Sequence, residues 1–154
     1  MNEETFLKTY DKSAFDTPLF SIDAVLFTYH EACLKVLLVE RSNHPDKGKW
    51  GLPGGFVDLQ LDDTLEDTVS RKLKEKTGVE PPYIEQLLTI GGRSRDKRGW
   101  STTVCYTSLL AHQDCEVNIS SVSDAQWVDI ESVKDLAFDH EDIIHAGRER
   151  LKQK

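Results

Sequence analysis

The segment Trp50-Gly51-Leu52-Pro53-Gly54-Gly55-Phe56-Val57, with the helical pattern that follows it, constrains the fold more than any other stretch of this chain. A proline followed by two glycines does not sit inside a helix, and Trp50, Phe56 and Val57 favour extended backbone. The segment therefore reads as a short strand with a tight glycine turn. Asp58 to Asp63 is polar and reads as a loop. From Thr64 to Thr77 the periodicity changes: Leu65, Val69 and Leu73 recur every four residues and make one apolar stripe. Asp62 or Asp63 is placed to cap the start of this helix, and Gly78 to end it. A glycine turn thus lies just ahead of an amphipathic helix, and the amides of Gly54 and Gly55 are suited to approach a phosphate.

The rest of the chain supplies strands for this unit to pack on. Ser21–Tyr29 and Leu34–Arg41 are β-favouring runs separated by His30-Glu31-Ala32-Cys33, the pattern of a hairpin. Ser42–Lys49, with Pro45 and Gly48, is a loop, and Pro81-Pro82 breaks the chain after the helix. Tyr83–Ile90 and Trp100–Leu110 predict a second, longer hairpin whose exposed tip carries Arg93, Arg95, Lys97 and Arg98. Ala125–Ile130 is a further strand, and Asp139 or His140 starts a final helix containing Ile143, Ile144, Ala146 and Leu151. Several strands with two good helices predict an α/β domain, a mixed sheet covered by helices. Residues 1–20 read as a leader that packs on the domain or on a partner.

Composition narrows the function classes. A chain of 154 residues, 38% hydrophobic and 30% charged, fits one globular domain. Its net charge of -8 argues against gripping nucleic acid through the bulk field. The cysteines Cys33, Cys105 and Cys115 have no short pair spacing, so neither a disulfide framework nor a zinc knuckle is expected. The N-terminus lacks a basic stretch followed by an apolar run, and no apolar run reaches the ~20 residues of a membrane span. A cytoplasmic location with no membrane partner is the expectation.

The helix carries the informative chemistry. Positions 72, 75 and 76 share one side of it and read Lys72, Glu75, Lys76, with Arg71 adjacent. A divalent magnesium ion is held by carboxylates. One glutamate between two ammonium groups is a poor start for such a site but a good one for a diphosphate. Each residue also has a structural reading. Lys72 and Lys76 can be solvent-facing or can snorkel over the core edge. Arg71 and Glu75 can be an i, i+4 ion pair, and Gly54 and Gly55 can serve only the turn. Trp50 and Phe56 can be core residues or base-stacking ones. The Arg93–Arg98 loop can be a solvated turn, a ligand clamp, a dimer contact or a contact to a neighbouring domain. His140 can be structural or reach a ligand, and Cys105 reads as an inert core thiol. No Ser-His-Asp or Cys-His pairing supports covalent catalysis.

The glycine segment followed by Arg71-Lys72-Leu73-Lys74-Glu75-Lys76-Thr77-Gly78-Val79 resembles the Nudix hydrolase signature. Arg71, Leu73, Glu75, Gly78 and Val79 match it; Lys72 and Lys76 stand where the family has glutamates, and Asp63 falls where its spaced glutamate belongs. The resemblance implies the Nudix fold, an α/β/α sandwich with a mixed β-sheet, over residues 21–154. Asp23–Tyr29, Arg41–Pro45, Ser94–Trp100 and Leu136–His140 are similar to the Nudix-related transcriptional regulators of NAD metabolism. That branch implies a dimeric, non-catalytic sensor of ADP-ribose or a similar nucleoside diphosphate, with no catalytic residue, metal or cofactor. It also implies a C-terminal winged-helix domain, which the sequence through Lys154 does not contain, so DNA contact is expected from a separate domain. The ligand residues expected are Arg41, Gly54, Gly55, Phe56, Arg71, Lys72, Glu75, Lys76, Arg95 and His140. The alternative is a magnesium-dependent hydrolase of ADP-ribose or a related nucleoside diphosphate, drawing carboxylates from Asp58, Asp62, Asp63, Glu66 and Glu75. A third class is an interaction module with no small ligand.

Overall fold

The computed structural model describes residues 1–117 and 124–153. Lys154, where the sequence reading ends the domain, lies outside them. Strand β1 (Leu19–His30) runs through the middle of the molecule, and residues 22–28 are all buried. Burial on both faces explains why this stretch has no polar alternation. β1 turns into β2 (Cys33–Glu40) as the expected antiparallel hairpin, with His30 opposite Cys33. The short strands β3 (Trp50–Gly51) and β4 (Gly54–Phe56) flank the Leu52-Pro53 corner and pair with β2 and β1 respectively.

β5 (Glu85–Gly92) and β6 (Ser101–Leu110) form the second hairpin, and β6 lies parallel to β1 along its length, from Leu19–Ser101 to Thr28–Leu110. β7 (Ala125–Asp129) pairs antiparallel with β2. The sheet is therefore mixed, with the order β3-β2-β1-β6-β5 among the described residues.

Helix α2 (Leu65–Lys76) covers one face, where Val69 and Leu73 join Ile22, Leu26, Leu37 and Val104. Helix α3 (His140–Lys152) covers the other, where Ile143 and Ile144 meet Val25, Phe27, Val36 and Cys105. This is the α/β/α sandwich. Each fully buried Val, Leu or Ile contributes about 1.5–3 kcal/mol, so the stripe of α2 docks the helix firmly enough to position its polar edge. The N-cap of α2 is Thr64, in a reciprocal capping box with Asp67, not Asp62 or Asp63 as the sequence suggested. Gly78 follows at φ 73°, its N–H donating to the Leu73 and Lys74 carbonyls.

One expectation changes. The hairpin tip is not simply solvated: the Arg95 side chain and Asp96 are buried, because each has a carboxylate–guanidinium partner. In this single chain residues 1–18 of the leader are exposed throughout, and its helix α1 (Glu3–Thr9) buries no residue. All three cysteines are free, with Cys105 and Cys115 buried. Among the described residues no helix is long and apolar enough to cross a membrane.

Candidate functional site

The glycine turn is locked between β1 and α2. Gly54 pairs with Asp23 and Gly55 with Ile22. A Cβ at Gly54 would collide with the Ile22 carbonyl oxygen. Gly55 adopts φ 155°, and a Cβ there would lie 2.7 Å from the Lys72 side chain. Gly54 therefore needs glycine for close approach to the β1 backbone, and Gly55 for its positive φ, since the Lys72 side chain can give way. Lys76 reaches across from α2, and its Nζ donates to the Gly54 carbonyl at 2.7 Å. Burial pushes the Lys76 pKa below its ordinary value, and the neighbouring Lys72 and Arg41 add to that shift.

The carboxylates that could hold a metal are dispersed or already engaged. Arg71 grips Asp62 with two hydrogen bonds, Nε to Oδ1 at 2.9 Å and Nη2 to Oδ2 at 2.8 Å. It also donates to Glu75 at 3.1 Å and to the Phe56 carbonyl at 3.3 Å. Asp62 further accepts from the Asp58 N–H and the Thr68 hydroxyl, and this set of donors, Arg71 first, holds its carboxyl well below the usual carboxylate range. The Arg71 pKa is raised by the same pairing. Glu75 also lies 3.6 Å from Lys72 Nζ. Asp58 accepts from the Gln60 and Leu61 amides of its own loop, Asp63 is exposed, and Glu66 faces the Tyr106 hydroxyl at 3.4 Å. Among the described residues no group of three or more His, Cys, Asp or Glu side chains could hold a metal ion.

A cavity of about 270 Å³ opens beside the turn. Of the sequence-derived candidates, Arg41, Gly54, Gly55, Phe56, Lys72, Lys76, Arg95 and His140 line it; Arg71 and Glu75 do not. Arg71 instead braces the Asp58–Asp63 loop against α2, so its contribution is to the shape of the wall. The cavity carries five cationic side chains, Arg41, Lys72, Lys76, Arg95 and Arg98, against the carboxylates of Asp23, Glu40 and Asp96. A concave, partly desolvated surface with that excess concentrates anions.

The cations differ in how they are held. Arg95 makes a two-pronged pair with Asp139, at 2.9 and 2.7 Å, and donates to Ser101 Oγ at 2.9 Å. Burial opposes the Arg95 charge, but the Asp139 carboxylate outweighs it and leaves the pKa raised. Arg41 donates through Nε to the Pro45 carbonyl at 2.7 Å and lies 4.7 Å over the Phe138 ring. Burial and the nearby Arg98 lower its pKa. Arg98, paired to Asp96, lies 5.1 Å from the Phe56 ring and 5.8 Å from that of Phe138. Asp46 ties the mouth together, accepting from Lys97 Nζ at 2.7 Å and from the Phe138 N–H at 3.0 Å.

His140 closes the floor. Its Nδ1 accepts from the Leu52 N–H at 2.9 Å, and its Nε2 lies 3.5 Å from Asp23 Oδ1. Burial lowers the His140 pKa and raises that of Asp23, whose carboxyl also accepts from Thr103 at 2.7 Å. Sequence reasoning missed Asp23, Asp96 and Phe138 as site residues, and reached Arg98 only as part of a loop that could clamp a ligand. Asp23 sits in a hydrophobic strand, a buried acid that marks an unusual environment, and Asp96 and Phe138 lie in loops that only the fold brings together.

Fold and site define an α/β/α domain with a cation-lined cavity beside a glycine turn. Residues 18–147 match the profile described as the NUDIX domain. The chain is 43% identical over 155 residues to the ADPR-responsive transcriptional repressor NtrR of Acinetobacter baylyi, covering 99% of this chain and 62% of the repressor. It thus spans less than two thirds of that relative's length. It is 32% identical over 127 residues to an ADP-ribose pyrophosphatase of Methanocaldococcus jannaschii, covering 82% of this chain and 71% of the enzyme. It superposes on the Nudix domain of Shewanella oneidensis NrtR, solved in complex with ADP-ribose, with a TM-score of 0.93 and 58% identity, over 98% of this chain and 99% of that one. This chain belongs to the Nudix family and is closely related to the Nudix domains of NrtR-type regulators.

Proposed function

We propose that this domain is a non-catalytic sensor of ADP-ribose, or a similar nucleoside diphosphate, belonging to a cytoplasmic transcriptional regulator of NAD metabolism. The observation that carries this reading is the placement of Lys72 and Lys76 at the Gly54-Gly55 turn inside the cavity. Fixed ammonium groups can neutralise a diphosphate there with no metal or other cofactor. The remaining cavity cations and the Phe56 and Phe138 rings offer further contacts to phosphates, ribose and a base. The complex of the Shewanella oneidensis relative with ADP-ribose supports that choice of ligand. The domain acts as a homodimer in this reading, and DNA is contacted through a separate C-terminal domain. The relative of that organism solved with a 27mer DNA supports the assignment.

Calorimetric titration of ADP-ribose into Lys72→Glu and Lys76→Glu tests the site. A charged hydrogen bond is worth about 1.5–3 kcal/mol, so each variant should bind at least about tenfold more weakly. Unchanged affinity in both would overturn the assignment. Magnesium-dependent release of AMP at an enzymatic rate would instead establish a hydrolase.

A further inference from the structure

We infer that Glu40 is the acceptor for ribose hydroxyls in the cation-lined cavity, so that the site selects a diphosphate carrying a ribose over a bare diphosphate. The inference rests on the sensor reading above and names a residue that sets its specificity. A cavity that concentrates anions is weakened for that task by every carboxylate in its wall. Two of its three carboxylates are engaged by the fold. Asp96 accepts from the Arg98 N–H at 2.9 Å and from the Arg98 guanidinium at 2.8 Å. Asp23 accepts from Thr103 Oγ1 at 2.7 Å and faces His140. The Glu40 carboxylate is held by no hydrogen bond or ion pair from any described residue.

Its backbone, by contrast, is fixed. Glu40 ends β2, where its N–H donates to the Asp124 carbonyl at 2.8 Å and Trp50 of β3 pairs with it. From β3 the chain runs through Leu52-Pro53 into the Gly54-Gly55 turn, so a short stretch of sheet ties the anchor of this carboxylate to the turn that lines the same cavity. Ser42 and Asn43 extend the lining next to it with uncharged polar groups. The cavity thus joins two chemistries: ammonium and guanidinium groups suited to phosphate, and an acceptor-only carboxylate beside neutral polar groups suited to hydroxyls. An ionised carboxylate accepts on two oxygens, which matches the vicinal hydroxyl pair of a ribose, and such charged hydrogen bonds are stronger than neutral ones. Acidic residues take that role toward ribose in dinucleotide-binding folds. A fully ionised diphosphate offers the carboxylate no proton, and is repelled by it.

Calorimetric titration of the full chain compares ADP-ribose, ADP and inorganic pyrophosphate on the native protein, Glu40→Gln and Glu40→Asp. Glu40 is exposed, so the melting temperature should not change in either variant. Glu40→Gln exchanges a charged acceptor for a neutral one and should weaken ADP-ribose at least about fivefold. Pyrophosphate should bind as before or up to about threefold tighter, because a repelling charge is lost. Glu40→Asp keeps the charge and withdraws it by one methylene; ADP-ribose should again weaken, with pyrophosphate unchanged. ADP locates the ribose: weakening alongside ADP-ribose places Glu40 at the adenosine ribose, and behaviour like pyrophosphate places it at the terminal one. ADP-ribose that binds both variants as well as the native protein, or better, would overturn the inference and leave the sensor reading standing. Equal weakening of ADP-ribose and pyrophosphate would also overturn it, as a distortion of the cavity. A native protein with no affinity for ADP-ribose would overturn the sensor reading and this inference together.

Discussion

His140 offers the sharpest quantitative test of how the cavity is built. Its imidazole is buried, accepts the Leu52 N–H through Nδ1 and faces Asp23 through Nε2. Replacement by alanine orphans the Leu52 amide, at about 1–3 kcal/mol, and leaves a void where the ring was. A total loss of about 3–5 kcal/mol is expected, a large share of the roughly 5–15 kcal/mol that holds an ordinary domain together. His140→Asn keeps an acceptor near the Nδ1 position and should cost about 1–2 kcal/mol. The two variants also separate titration from packing. The folded pKa of His140 is depressed below 6.5, so the unfolded chain takes up more protons as pH falls through that value. The stability this neutral ring contributes is present above 6.5 and is lost below it, at up to ~1.4 kcal/mol per pH unit. Asp23 works in the opposite sense, because its pKa is raised from 3.8: it favours the fold in acid and opposes it as pH rises through its folded value. Urea denaturation of the native protein and His140→Asn between pH 7.5 and 5.5 reads the difference directly. The native protein should lose stability faster than the variant on acidification. Identical slopes would refute the claim that a neutral His140 anchors the Leu52–Gly55 turn.

Further outcomes follow from the same contacts. Lys76→Met should cost about 1–3 kcal/mol in stability, through the orphaned Gly54 carbonyl, and weaken ADP-ribose about 10–100-fold; melting curves and calorimetry check the pair. Gly54→Ala should prevent the turn from closing on β1, read as loss of soluble, cooperatively folding protein, whereas Gly55→Ala meets only the flexible end of Lys72 apart from its own backbone strain and should be the milder variant. Burial pushes the Cys105 thiol up to about 12, so it should resist a thiol reagent at pH 8 until the protein is denatured, while the part-exposed Cys33 labels in the native state. Asp62→Asn should free Arg71 and loosen the Asp58–Asp63 loop, seen as faster amide exchange at Asp58, which donates to the Asp62 carboxylate.

Local chemistry determines much of what this protein is. The period-two and unbroken apolar runs specify β1, β2, β5, β6 and β7, and the Leu65, Val69, Leu73 stripe specifies α2, because each pattern must bury one side of a regular element. The glycine turn and the lysines of α2 are legible for the same reason: they act through positions close in the chain, and helical spacing alone places Lys72 and Lys76 on the edge that faces the turn. Tertiary structure decides the rest. Whether a cation is available to a ligand depends on what stands opposite it: Asp139 stands opposite Arg95 only after loops far apart in sequence converge, and Asp62 and Asp96, though near Arg71 and Arg98 in the chain, meet them only through the local fold of their loops. The protonation preferences of Asp23 and His140 depend on desolvation, which no sequence pattern expresses, and on a contact between the second quarter of β1 and the first residue of α3. Sequence specifies which surfaces each element must hide and which charges it carries; only folding sets the distances and the dielectric through which those charges act.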